Sequence, residues 1–156
     1  MKNITIITGS TLGNAEYVAE QLGLQLESAS FIVSLYHGPN LDQLPTQGLW
    51  LIVTSTHGAG ELPDNLQPLL GELQATTADL HAVYYGIIGL GDRSYDTFCQ
   101  AAKSLDQQLQ SQGAKRLGKL LEIDVSSELI PEDQAEVWLQ QWLMTLPEAV
   151  CYANNL

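Results

Sequence analysis

Three segments of this chain gather residue types that can hold a flat, phosphorylated ligand. The first is Thr8-Gly9-Ser10-Thr11-Leu12-Gly13-Asn14-Ala15. It follows a β-branched run and precedes a helical pattern, so unpaired backbone N–H groups and the positive end of a helix dipole converge there. Small hydroxyl residues add donors, and a phosphate can bind such a turn without a basic side chain. The composition requires this: between Asn3 and Asp92 there is no Lys or Arg, and the same span carries nine carboxylates. No Lys-Ser/Thr pair follows the last glycine, which argues against a Walker P-loop, and the Gly-x-Gly-x-x-Gly spacing of a dinucleotide site is missing. The competing reading is a capped helix start in which Gly9 and Gly13 serve only the turn.

The second segment, Ser55-Thr56-His57-Gly58-Ala59-Gly60-Glu61, offers two hydroxyls, a histidine and glycines that let a peptide rotate. The third, Gly89-Leu90-Gly91-Asp92-Arg93-Ser94-Tyr95, combines glycine-exposed N–H groups with an aromatic ring. A heteroaromatic ligand could stack on Tyr95 with its polar edge on the backbone. Taken alone, Tyr95 reads rather as a half-buried ring in a helix start. Other chemistries are poorly served. Ser55, His57 and Asp64 can be drawn as a hydrolytic triad, but no Gly-x-Ser-x-Gly elbow is present. A reactive thiolate at Cys99 would need nearby positive charge, and its neighbours include Asp96. His37 and His81 lack the spacing of metal ligands and read as turn and surface residues.

The elements that must position these segments alternate along the chain. Ile4 to Ile7 predicts a strand, and Ala15, Val18, Ala19, Leu22 and Leu26 mark one face of a following helix. Phe31 to Leu35 predicts a second strand, closed by the turn residues His37-Gly38-Pro39-Asn40. Leu49 to Val53 is apolar without alternation, as expected of a parallel strand covered on both faces. Leu66, Leu69, Leu70 and Leu73 predict a short helix, and Val83 to Ile88 a fourth strand. A helix with Phe98, Ala101, Ala102, Leu105 and Leu109 follows, stopped by Gly113. Leu117 to Val125 supplies a fifth strand, interrupted at Gly118, and Pro131 opens a last helix that Pro147 ends. The pattern is α/β, a doubly wound, five-stranded parallel sheet with helices on both faces. Ligands of such sheets bind outside the carboxyl ends of the strands, so function belongs to the loops after strands one, three and four.

A chain of 156 residues, 45% apolar and 15% charged, suits one domain with a sizeable core. The reading places that domain at residues 1–147, with 148–156 as a tail. Six Lys plus Arg against eighteen Asp plus Glu leave a formal charge of −12, which makes nucleic acid and membrane surfaces poor partners and a basic protein an attractive one. The start of the chain is too quickly strand-like for a secretory signal, and no apolar run approaches the roughly 20 residues of a membrane span, so a cytoplasmic location is expected. Cys99 and Cys151 could make at most one bridge and are read as buried or idle thiols.

Together the three segments resemble the flavodoxin family. Gly9-Ser10-Thr11-Leu12-Gly13-Asn14-Ala15-Glu16 resembles its phosphate loop, and Gly89 to Cys99 its flavin loop. Thr56-x-Gly58-x-Gly60 is similar to the FMN domains of diflavin reductases. Within the family the likeness is to the MioC-type group of short flavodoxin-like proteins, over residues 2–146. The resemblance implies strand order 2-1-3-4-5 and FMN as cofactor, its phosphate in the loop of Ser10, Thr11, Leu12, Gly13, Asn14 and Ala15 and its ring between His57 and Tyr95. It further implies that backbone groups of Gly58, Ala59, Leu90, Gly91 and Asp92, with Thr56 and Gly60 beside them, meet the polar edge of the ring, and that Phe98 and Cys99 line the pocket.

Leu12 and Ala15 stand where the family has Thr, removing two phosphate donors and, at about 1 kcal/mol per hydrogen bond, weakening binding ten-fold or more. His57 replaces an aromatic ring with an imidazole that titrates near pH 6.5, which predicts a pH-dependent affinity or potential between roughly 5.5 and 7.5. The function implied is a monomeric electron carrier. It would shuttle single electrons from a basic-surfaced flavoprotein reductase to a metalloenzyme or radical enzyme, without converting a substrate itself. The alternative is a flavodoxin-like interaction or regulatory module that binds FMN weakly or not at all.

Overall fold

The computed structural model describes residues 2–10, 13–56 and 60–147. Its elements are β1 (Lys2–Gly9), α1 (Asn14–Ser28), β2 (Phe31–His37), β3 (Gln47–Ser55), α2 (Gln67–Ala75), β4 (Ala82–Gly91), α3 (Gln100–Ser111), β5 (Lys115–Arg116), β6 (Leu121–Asp124) and α4 (Pro131–Leu143). Every strand pair is parallel, in the order β2-β1-β3-β4-β5, with β6 also pairing β4.

The unbroken apolar run of β3 is explained by its place between β1 and β4. Successive side chains of a strand point to opposite faces. Leu49, Leu51 and Val53 therefore join Ile4, Ile6, the apolar stripe of α1 and Ala135, Leu139 and Trp142 of α4 in one core. Trp50 and Ile52 join Ile7, Tyr85, Ile87, Leu69 and Leu73 of α2 and Leu105 and Leu109 of α3 in the other. Helices thus cover both faces, and the loops after β1, β3 and β4 share one edge.

The predicted fifth strand, Leu117 to Val125, differs in detail. The position beside β4 is filled by two short pieces, β5 against Tyr84 and Tyr85 and β6 against Ile88 to Gly91. Between them the chain leaves the ladder, and two indoles on α4 take its carbonyls: Trp142 Nε1 donates to Leu117 O at 3.0 Å and Trp138 Nε1 to Lys119 O at 3.2 Å. Backbone groups that lose ladder partners must find others when half-buried, and the two stacked tryptophans supply them.

On the opposite face a polar network crosses the core. The Tyr85 hydroxyl donates to the Asp106 carboxylate, which also accepts from Arg116 Nη1 at 2.6 Å and Gln110 Nε2 at 3.2 Å. Burial, followed by the hydrogen bond to Asp106, raises the Tyr85 phenol above its ordinary range, so it remains a donor. The network ties α3 and β4 to the two-residue β5.

Candidate cofactor site

The loop after β1 is built by internal hydrogen bonds. Ser10 Oγ accepts from Gly13 N at 2.7 Å, and Gly13 turns left-handed at φ 86 to start α1. Tyr17 N donates to Gly13 O, the first bond of the helix, so the N–H groups of Asn14, Ala15 and Glu16 have no acceptor within it. The methyl group of Ala15 is shut into the core, leaving its N–H as the group it can offer a ligand. The Ser10 N–H is engaged by Asn65 Oδ1 at 3.1 Å. Thr11 and Leu12 lie outside the described residues.

Asn65 belongs to a 3-10 turn, Asp64–Leu66, that seats itself behind this loop. A Cβ on Gly9 would stand 2.3 Å from Leu66 Cδ1, so glycine is what lets the turn approach. The sequence reading missed Asn65. Its only trace there is the turn-forming run Pro63-Asp64-Asn65. His37, read as a turn residue, has a partner as well: its Nδ1 lies 2.6 Å from Thr8 Oγ1, across the β1–β2 register that pairs these two residues.

The second and third loops meet. Thr56 N donates to Leu90 O at 3.1 Å, and a Cβ on Gly60 would stand 3.1 Å from the Gln100 side chain and 3.2 Å from Thr97. The Thr56 hydroxyl is buried and has no hydrogen-bond partner among the described residues. His57, Gly58 and Ala59 lie outside the described residues. In the third loop, Tyr95 N donates to Asp92 O and Phe98 N to Tyr95 O, two successive turns that leave Tyr95 63% exposed. Arg93, the loop's basic residue, lies over the Phe98 ring at 4.7 Å and 3.9 Å from Asp124. Asp92 and Asp124 are held below the usual carboxylate range by hydrogen bonds from Ser94 and Ser126 respectively, and both keep negative charge at this edge.

Leu90 and Cys99 sit behind the crevice surface. Both side chains are buried, and the Cys99 thiol donates to Gly89 O at 3.4 Å. Burial, with the Glu122 charge adding to it, pushes this thiol up to about 12. An unfolded thiol ionises near pH 8.5, so between about 8.5 and 12 the unfolded chain releases a proton that the native state keeps. Stability should therefore fall as pH rises through that window and be unaffected by this group below it. Urea midpoints from pH 7 to 10 should decline less steeply in Cys99→Ala. Native Cys99 should also resist iodoacetamide at pH 8 and react freely in urea.

The donor set fits FMN. A buried Thr56 hydroxyl without a partner among the described residues, three N–H groups at the start of α1 with no acceptor within the helix and an exposed ring share one edge of the sheet. These are neutral donors and a stacking surface, suited to an anionic group attached to a flat ring.

Comparison with known proteins agrees. The profile of the family described as Flavodoxin matches residues 6–138. The chain is 51% identical over 146 residues to Protein MioC of Escherichia coli (strain K12), covering 94% of this chain and 99% of that protein. It is 38% identical to Flavodoxin YqcA of the same organism, over 91% of this chain and 97% of that one. Among solved structures, a C101A mutant of flavodoxin from Pseudomonas aeruginosa superimposes with a TM-score of 0.84 at 36% identity, covering 92% of this chain and 98% of that one. The chain therefore belongs to the flavodoxin family, with proteins of the MioC type among its relatives, and FMN is its cofactor.

Proposed function

We propose that this flavodoxin carries single electrons from a flavoprotein reductase to a metalloprotein or radical enzyme, both with basic docking surfaces. In this reading FMN sits across the three loops, its phosphate at the start of α1 and its ring beside Tyr95. The bound cofactor supplies the one-electron chemistry. The protein supplies position and field. Asn14, Ala15 and Glu16 offer N–H groups to the phosphate, the Thr56 hydroxyl meets the ligand, and Phe98 and Tyr95 flank the ring. Asp92 and Asp124 oppose added negative charge at the ring, which lowers the potential for the last electron. The same carboxylates favour encounter with a basic partner and make it salt-sensitive.

The observation that supports the reading is the buried Thr56 hydroxyl, which has no hydrogen-bond partner among the described residues and lies at the sheet edge it shares with the start of α1. Titration with FMN, followed by quenching of flavin fluorescence, should show one dissociable site. A protein that refuses added FMN would instead favour an interaction module without a cofactor.

A further inference from the structure

We propose that Asn65 is a positioning residue that presets the first loop for the phosphate of FMN. The inference rests on the carrier reading above and concerns how the site discriminates phosphate. Asn65 Oδ1 accepts from Ser10 N at 3.1 Å, Ser10 Oγ accepts from Gly13 N at 2.7 Å, and Gly13 O accepts from Tyr17 N at 3.0 Å. This chain of bonds runs from the 3-10 turn through the loop into the first turn of α1. Each link fixes one group whose position determines where the N–H groups of Asn14, Ala15 and Glu16 point.

The anchor itself is held in place. A Cβ on Gly38, at the end of β2, would stand 2.6 Å from the Asn65 carbonyl oxygen, and one on Gly9 would stand 2.3 Å from Leu66 Cδ1. Asn65 is therefore wedged between the ends of β1 and β2 by its own backbone and by its neighbour. A carboxamide is the suitable group here: it accepts from Ser10 N–H without bringing charge. The adjacent turn residue is already Asp64, and a second carboxylate beside a phosphate site would repel the ligand. With no basic side chain between Asn3 and Asp92 to compensate, neutrality at position 65 matters more than it would in a cationic site.

The test compares FMN with riboflavin, which lacks the phosphate, on wild type, Asn65→Ala and Asn65→Asp. Amide hydrogen exchange at Ser10 is followed in the cofactor-free protein. Asn65→Ala should raise the Kd for FMN about ten-fold, leave that for riboflavin within about two-fold, and speed Ser10 exchange about ten-fold or more. Asn65→Asp keeps the acceptor oxygen, so Ser10 should stay protected. FMN should still bind more weakly, riboflavin should not, and the FMN deficit should shrink as salt is raised.

Parallel weakening of FMN and riboflavin in Asn65→Ala would overturn the inference, because it would mean that the residue merely supports the fold. Unchanged Ser10 exchange in that variant would overturn it too. Failure of wild type to bind either flavin would remove the carrier reading and this inference together, an outcome distinct from parallel weakening.

Discussion

Replacing Gly91 by alanine should weaken FMN and riboflavin alike, by about ten- to a hundred-fold, the equivalent of losing one or two good hydrogen bonds to the ligand. A Cβ at this position would stand 2.9 Å from the backbone nitrogen of Cys99 and 3.2 Å from the Phe98 ring. The backbone contact is the harder one to relieve, because Cys99 opens α3 at φ 54 and its side chain is fully buried. Gly91 also accepts from Val125 N at 2.8 Å, which ties the end of β4 to the segment after β6. The added methyl group must therefore part the two ends of the loop that carries Asp92, Tyr95 and Phe98. Overpacking of this kind costs about 1–3 kcal/mol of stability as well. Equal loss for the two flavins distinguishes this ring-end lesion from the phosphate-end lesion expected of Asn65→Ala. Flavin titrations within about two-fold of wild type would show that the third loop does not hold the ring.

Arg116→Met should destabilise the fold by about 3 kcal/mol without changing flavin affinity. The Asp106 side chain is 10% exposed, and Arg116 is its one cationic partner among the described residues. Without the guanidinium, a nearly buried carboxylate keeps only the Tyr85 hydroxyl and the Gln110 amide. Removing one member of such a pair costs more than removing both, because the survivor's charge stays desolvated. The double variant Asp106→Asn with Arg116→Met should therefore recover much of the loss in a urea-unfolding cycle. The network sits at the Tyr84–Tyr85 end of β4, away from Leu90 and Gly91, which is why binding should be spared.

The architecture was legible before the structure because its signals are local. Apolar spacing in Ala15 to Leu26 and in Phe98 to Leu109 announced two helices, the second of which begins only at Gln100 and leaves Phe98 in the preceding turn, and the unalternating Leu49 to Val53 announced the central strand. In a parallel sheet those elements alone bring the three loops to one edge. The fifth strand, expected over Leu117 to Val125 with a break at Gly118, holds only β6 within those bounds, and β5 ends before Leu117. What periodicity could not convey was that the strand resumes as separate pieces, with the indoles of α4 taking the freed carbonyls.

At the site, the glycine and hydroxyl pattern marked the first loop as a candidate but carried no sign of the partner that one of its donors has. Ser10 N–H is engaged by a residue 55 positions away, and Tyr85 meets Asp106 across 21 positions. A sequence displays the chemical type of each side chain and the period of its neighbours. It does not display which polar groups packing will bring within 3 Å of one another.

The two-faced sheet, the edge that carries the loops and the lack of basic residues between Asn3 and Asp92 were thus determined by the order of residues, because each follows from local pattern and composition. Tertiary structure alone decided that Asn65 stands behind the first loop, that the Thr56 hydroxyl is buried with no partner among the described residues, and that the Cys99 thiol is sealed under the third loop. These depend on close approach between distant segments, and hydrogen bonding is too short-ranged to leave a periodic trace in the chain.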